Sequence, residues 1–137
     1  MTVLLVDAAN VVGSRPDGWW RDRAGAAGRL LDRLAALPGR SLPGPDGGDL
    51  VCDEVVAVVE GQARDVPAPA GVRVERAAGS GDDALAAVAA RLAVEGTRTV
   101  VVTADRGLRA RLPAGAVVAG PGWLLGVLDE IGRARQE

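Results

Sequence analysis

The chain has 137 residues, 48% of them hydrophobic and 25% charged, which is the make-up of one globular domain spanning 1–137. Sixteen basic and 18 acidic residues leave a net charge of −2, so any nucleic-acid surface must be a local basic patch. All the basic residues are Arg, and His, Lys, Tyr and Phe are absent, which excludes Ser–His and Cys–His nucleophile pairs, Schiff bases and a P-loop lysine.

Cys52 is the only cysteine and can form neither an internal disulfide nor a structural zinc site by itself. It is expected to be a small apolar residue beside a strand. The start MTVLLVDAAN lacks a basic n-region, and no apolar run approaches the roughly 18 residues that span a bilayer. A reducing, cytoplasmic setting with no membrane contact is expected.

In chain order, TVLLV (2–6) is a short apolar run of the kind buried on both faces of a parallel sheet. A loop with Gly13, Pro16 and Gly18 is expected next. Residues 19–37 predict a helix, with Trp20, Ala24, Ala27, Leu31 and Leu34 turned inward, ending before Pro38-Gly39. Residues 38–50, with three Pro and four Gly, predict an irregular loop. EVVAVV (54–59) predicts a second buried strand and VRVERA (72–77) a third, nearer an edge. GSGDD opens a helix over about 82–95, whose Leu85, Val88, Ala89 and Leu92 share a face. RTVVVT (98–103) predicts a fourth strand, 106–112 a turn or two of helix, and AVVAG (116–120) a fifth strand. A last helix starts at Pro121 and buries Leu124, Val127, Leu128 and Ile131. The alternation implies an α/β fold, a three-layer α/β/α Rossmann-like domain on a mostly parallel five-stranded sheet. An order 3-2-1-4-5 would place strands one and four at the switch point, where ligands bind beyond the strand C-termini.

Acidic residues fall at those ends. Asp7 follows strand one, Glu60 follows strand two, Asp82 and Asp83 start the helix after strand three, and Asp105 follows strand four. Oxygen-only ligands without His or Cys suit Mg²⁺ or Mn²⁺ rather than Zn²⁺. Such a cation can activate water and stabilise charge on a phosphoryl group. Asn10, the only Asn, lies in the turn after Asp7 and offers a neutral amide to a phosphate or a water. Each acid also has a plainer role. Ser80-Gly-Asp-Asp83 fits a helix cap with acids in its first turn, Asp105 can cap the short helix that follows, and Glu60 can pair with an Arg.

Other motifs are weaker. Gly79-Ser-Gly81-Asp-Asp-Ala84 matches a dinucleotide fingerprint but follows the wrong strand, and Asp82 and Asp83 would oppose a pyrophosphate. Ala9 stands where a haloacid-dehalogenase-type phosphatase needs a second Asp. Trp20 is expected in the core, while Trp19, if exposed, can stack a base.

VDAANVVG (6–13) resembles the opening motif of PIN-like nucleases of the NYN group, commonly VDGxNxxx, with Gly13 as in the YacP-like branch. VEG (59–61) resembles that family's F-D-G, GSGDDAL (79–85) its ADxxI stretch with Asp82 on the family's Asp, and VVTADRGL (101–108) its TSDRGL. The resemblance implies a PIN fold and a Mg²⁺- or Mn²⁺-dependent ribonuclease. Asp7, Asn10, Asp82 and Asp105 would be catalytic, and Asp7, Glu60, Asp82, Asp83 and Asp105 would hold the metal. Glu60 stands for the family's Asp, Ala8 for a Gly and Ala104 for a Ser. Arg15, Arg21, Arg23, Arg106, Arg109 and Arg111 flank these motifs and suit phosphate binding through their planar forks. The expected partner is RNA, single-stranded in preference, alongside a homodimer contact or an inhibitory protein. A metal-dependent nucleotide phosphohydrolase and a catalytically degenerate RNA- or nucleotide-binding module remain as alternatives.

Overall fold

The protein is described over residues 1–136 in a computed structural model. Strand β1 (Thr2–Asp7) passes directly into a short helix, α1 (Ala8–Val12); a 3-10 turn at Trp19–Arg21 precedes helix α2 (Arg23–Leu34). Strands β2 (Arg40–Pro43) and β3 (Asp49–Cys52) form a hairpin before β4 (Glu54–Val59). Then come β5 (Val72–Arg76), α3 (Gly81–Val94), β6 (Arg98–Val102), α4 (Arg106–Arg109), β7 (Val117–Ala119) and α5 (Pro121–Gln136).

The five long-range strands pair in parallel in the order β5-β4-β1-β6-β7. With the hairpin set aside, this is the expected 3-2-1-4-5. The central strands are apolar on both faces because both faces are covered. Leu4 and Val6 look toward α1, α2 and α5, whereas Val3 and Leu5 look toward α3 and α4. Leu4 and Leu5 are both fully buried, each worth about 1.5–3 kcal/mol of apolar burial. Register carries Asp7 beside Val58 of β4, and pairs Val6 with Val102 of β6. Asp7 and Thr103 therefore leave the sheet side by side.

Four expectations need correction. The loop expected after β1 begins as helix α1, capped by the Asp7 side chain. The helix expected from residue 19 starts at Arg23, because Asp22 caps it by accepting from the Gly25 N–H at 2.9 Å. Its inward face is consequently Ala26, Ala27, Leu30, Leu31 and Leu34, with Ala24 exposed. Trp20, expected in the core, is 52% exposed on the 3-10 turn. The irregular loop expected at 38–50 contains the β2–β3 hairpin.

That hairpin buries Leu42, Leu50 and Cys52 under the α2/α5 face. The Trp123 indole N–H at the start of α5 donates to the Pro43 carbonyl at 3.0 Å and holds the hairpin in place. Burial, reinforced by the neighbouring Asp53 charge, pushes the Cys52 thiol up to about 11. Among the described residues no helix is long and apolar enough to cross a membrane.

Candidate active site

An open groove of about 510 Å³ lies over the C-terminal ends of β1, β4 and β6. Its lining includes Asp7, Asn10, Glu60, Asp82 and Asp105, together with Trp19 and Arg23. Four of the expected acids and the expected amide thus meet in one place, the acids each delivered by a different chain reversal.

Asp7 is the most buried of the acids, at 9% exposure. One carboxylate oxygen accepts from the Asn10 N–H at 3.3 Å and caps α1; the other accepts from the Thr103 hydroxyl at 3.1 Å. Burial raises its pKa above the ordinary value; the Asp82 and Glu60 charges add to the rise, and the two hydrogen bonds oppose it. Asp105 likewise caps α4 through the Leu108 N–H at 2.9 Å. The plainer capping roles of Asp7 and Asp105 are therefore real, and they coexist with a place in the groove. Each cap fixes one oxygen and so orients the carboxylate.

Thr103 joins the two ends of the site. Its buried hydroxyl donates to Asp7 and accepts the Asp105 N–H at 3.1 Å. Asn10 makes a parallel link, its side-chain oxygen accepting the Ala104 N–H at 2.7 Å. Thr103 was not among the residues expected from sequence. The available signal was a hydroxyl directly after a buried strand and two residues before an acid, the spacing of a side-chain-to-backbone turn.

Asp82 sits in the first turn of α3, where Ser80 caps the Asp82 and Asp83 N–H groups. Burial raises its pKa, as does the adjacent Asp105 carboxylate, against the lowering influence of Arg111. Asp83 points elsewhere: its side chain is exposed, lies outside the groove lining, and pairs with Arg111 at 2.9 Å.

The arginines divide. Arg23 lines the groove, with its guanidinium 5.3 Å from the centre of the Trp19 ring. Arg21 lies over Trp20 at 5.9 Å. Arg15 is drawn away to Asp129 of α5, which also holds Arg33. Arg106 and Arg109 are exposed on α4. Trp19 is half-buried and lines the groove, whereas Trp20, expected in the core, is exposed.

Among the described residues, none of Asp7, Glu60, Asp82 and Asp105 makes a salt bridge. No side-chain cation balances their charge among the described residues, and all-oxygen donors fit a hard divalent ion. No three carboxylates among the described residues stand close enough to ligate one ion jointly. The arrangement suits an ion that retains waters and takes one or two carboxylates with a substrate phosphate, as Mg²⁺ commonly does.

A scan against protein-family models and a search of curated proteins return no match. Among solved structures, the chain is similar to Rae1 (YacP) from Bacillus subtilis at a TM-score of 0.69 and 22% identity, over 98% of this chain and 79% of that one. The layers, the strand order and this likeness agree, and the chain has the same fold as Rae1 (YacP).

Proposed function

We propose that the protein is a divalent-metal-dependent ribonuclease acting on single-stranded RNA in the groove. The observation that carries this is the meeting of four carboxylates without salt bridges, Asp7, Glu60, Asp82 and Asp105, at the switch point of the sheet. The fold shared with Rae1 and the motif resemblance support it.

One or two of Asp7, Asp82 and Asp105 would hold Mg²⁺ or Mn²⁺ together with waters and a substrate phosphate, with Glu60 beside them; the cation would supply charge neutralisation at the scissile phosphate and lower the pKa of water. The chain's own residues do the rest. Asp7 and Asp105 are kept in fixed orientation by their caps and by Thr103. A site acid left free of the ion takes the proton of the attacking water as the water oxygen bonds to phosphorus and the P–O bond to the leaving group breaks. Arg23 presents a planar fork to a phosphate, and Trp19 a ring face to a base. With a net charge of −2 and Arg23 as the arginine of the groove lining, binding should be weak.

The test is incubation of a long end-labelled single-stranded RNA with Mn²⁺, Mg²⁺ or EDTA, beside Asp105→Asn. An asparagine keeps the cap on α4 but removes the charge. Cleavage that needs metal and falls by about a hundredfold or more in the variant supports the proposal. Intact RNA in every lane, with phosphate released from free nucleotides, would replace it with nucleotide hydrolysis.

A further inference from the structure

The first residue of α3, Gly81, is buried and lines the groove. A Cβ built there would overlap the Glu60 Oε2 and stand 2.6 Å from its carboxyl carbon. The third-nearest atom, at 3.4 Å, also belongs to Glu60. Gly81 is not among the glycines with positive φ, so its backbone does not require the absence of a side chain. Helix formation does not call for glycine either, since alanine is the better helix former at most positions. The only neighbour that needs the bare Cα is the Glu60 carboxylate.

Glu60 comes from the end of β4 and Gly81 from the start of α3, so the contact joins two separate chain reversals. On its seat the carboxylate is near enough to Asp7 to raise that residue's pKa. Any side chain at 81 occupies the same space. Glu60 is flexible and would rotate away rather than break the helix, which removes an acid from the groove while leaving the fold intact.

We propose that Gly81 is a positioning residue, and that the length of Glu60 and the empty space at 81 form a matched pair. This deepens the metal-dependent reading above and rests on it for the role of Glu60. A shorter acid needs less room, so Glu60→Asp should make Gly81→Ala tolerable.

The test is a cycle of four proteins: wild type, Gly81→Ala, Glu60→Asp and the double variant. Two readouts are taken. The first is the melting temperature in EDTA, which needs no metal. Gly81→Ala should be less favourable in the wild-type background than in the Glu60→Asp background, with a coupling of about 2 °C or more. The second is Mn²⁺ affinity by calorimetry. Gly81→Ala alone should weaken it by roughly tenfold, and the double variant should return to the level of Glu60→Asp. Additive effects in both readouts would overturn the matched pair. Coupling in EDTA combined with unchanged Mn²⁺ affinity in Gly81→Ala would overturn the positioning role. Absence of Mn²⁺ binding by the wild type would remove the metal reading, while the EDTA cycle would still decide whether Gly81 seats Glu60.

Discussion

Thr103 shows how much of the site rests on groups that carry no charge. Its single hydroxyl gives a donor to Asp7 and an acceptor to the Asp105 N–H. Thr103→Val keeps the shape and removes both bonds, leaving polar groups unmatched beside a buried carboxylate. A loss of about 1–3 kcal/mol in urea unfolding is expected, together with weaker Mn²⁺ binding; unchanged values for both would remove the linking role. Trp19→Ala tests the groove wall. If a base rests on the ring, affinity for a single-stranded RNA should fall by about 1–3 kcal/mol, with double-stranded RNA unaffected. Equal losses on both would make Trp19 a packing residue. Asp7, Glu60, Asp82 and Asp105 were legible in the sequence because position after a buried strand is a strong restraint. Asp83 was not separable from Asp82 by sequence, since adjacent residues on a helix face different ways. Trp20 belongs in the core only if a helical period runs through residues 19–21, and that segment is a 3-10 turn. The αL conformation of Gly18, at φ 84°, sets that turn apart from the loop before it.

At the scale of elements, electrostatics acts with opposite sign in two places. Asp129 clips α5 to Arg33 of α2 and to Arg15 after α1, and these two partners hold its carboxyl down to about 2. Its stabilising share is complete above the ordinary carboxylate value of about 3.9 and disappears as pH falls toward 2. The share is small, because these pairs are solvent-exposed. Asp7 and Asp82 are raised instead, so their share is present below the ordinary value and is lost as pH rises through their folded values. The chain has no histidine to titrate in between. In EDTA the share of these two acids should therefore grow as pH is lowered from neutrality toward the ordinary carboxylate value of about 3.9, and the melting temperature should rise with it. Saturating Mg²⁺ should reduce that difference by stabilising the ionised acids; a flat profile in EDTA would show that burial does not raise these two carboxyls. The hairpin is the element that sequence concealed. Pro43, Pro45 and the surrounding glycines read as breakers, yet Pro43 sits at the end of β2, where no ladder N–H is needed. The alternation of Leu42, Leu50 and Cys52 into the core was too short to outweigh them.

For the whole molecule, the sheet order followed from topology more than from local propensity. Short apolar strands separated by helices admit few right-handed parallel arrangements, and an acid at each central strand end selects the arrangement with a shared crevice. What the sequence could not supply was the division of labour among the arginines. Only the packing of α5 against α2 shows that Arg15 is committed to Asp129, leaving Arg23 beside the acids. Local spacing cannot reveal a partner 114 residues away.

Cys52 has a different use. It is the only thiol in the chain, fully buried at the end of β3 in the hairpin, and burial pushes it up to about 11. In the native state a thiol-directed reagent meets neither an accessible sulfur nor a thiolate at neutral pH. Modification must wait for the hairpin to lift or the whole domain to open, and opening restores an ordinary thiol. The rate of labelling is then a clock for that opening, built into the natural sequence and separated from the groove. Comparing the clock with and without RNA or Mn²⁺ would report whether a ligand held at one end of the sheet steadies the far side of the α2/α5 layer.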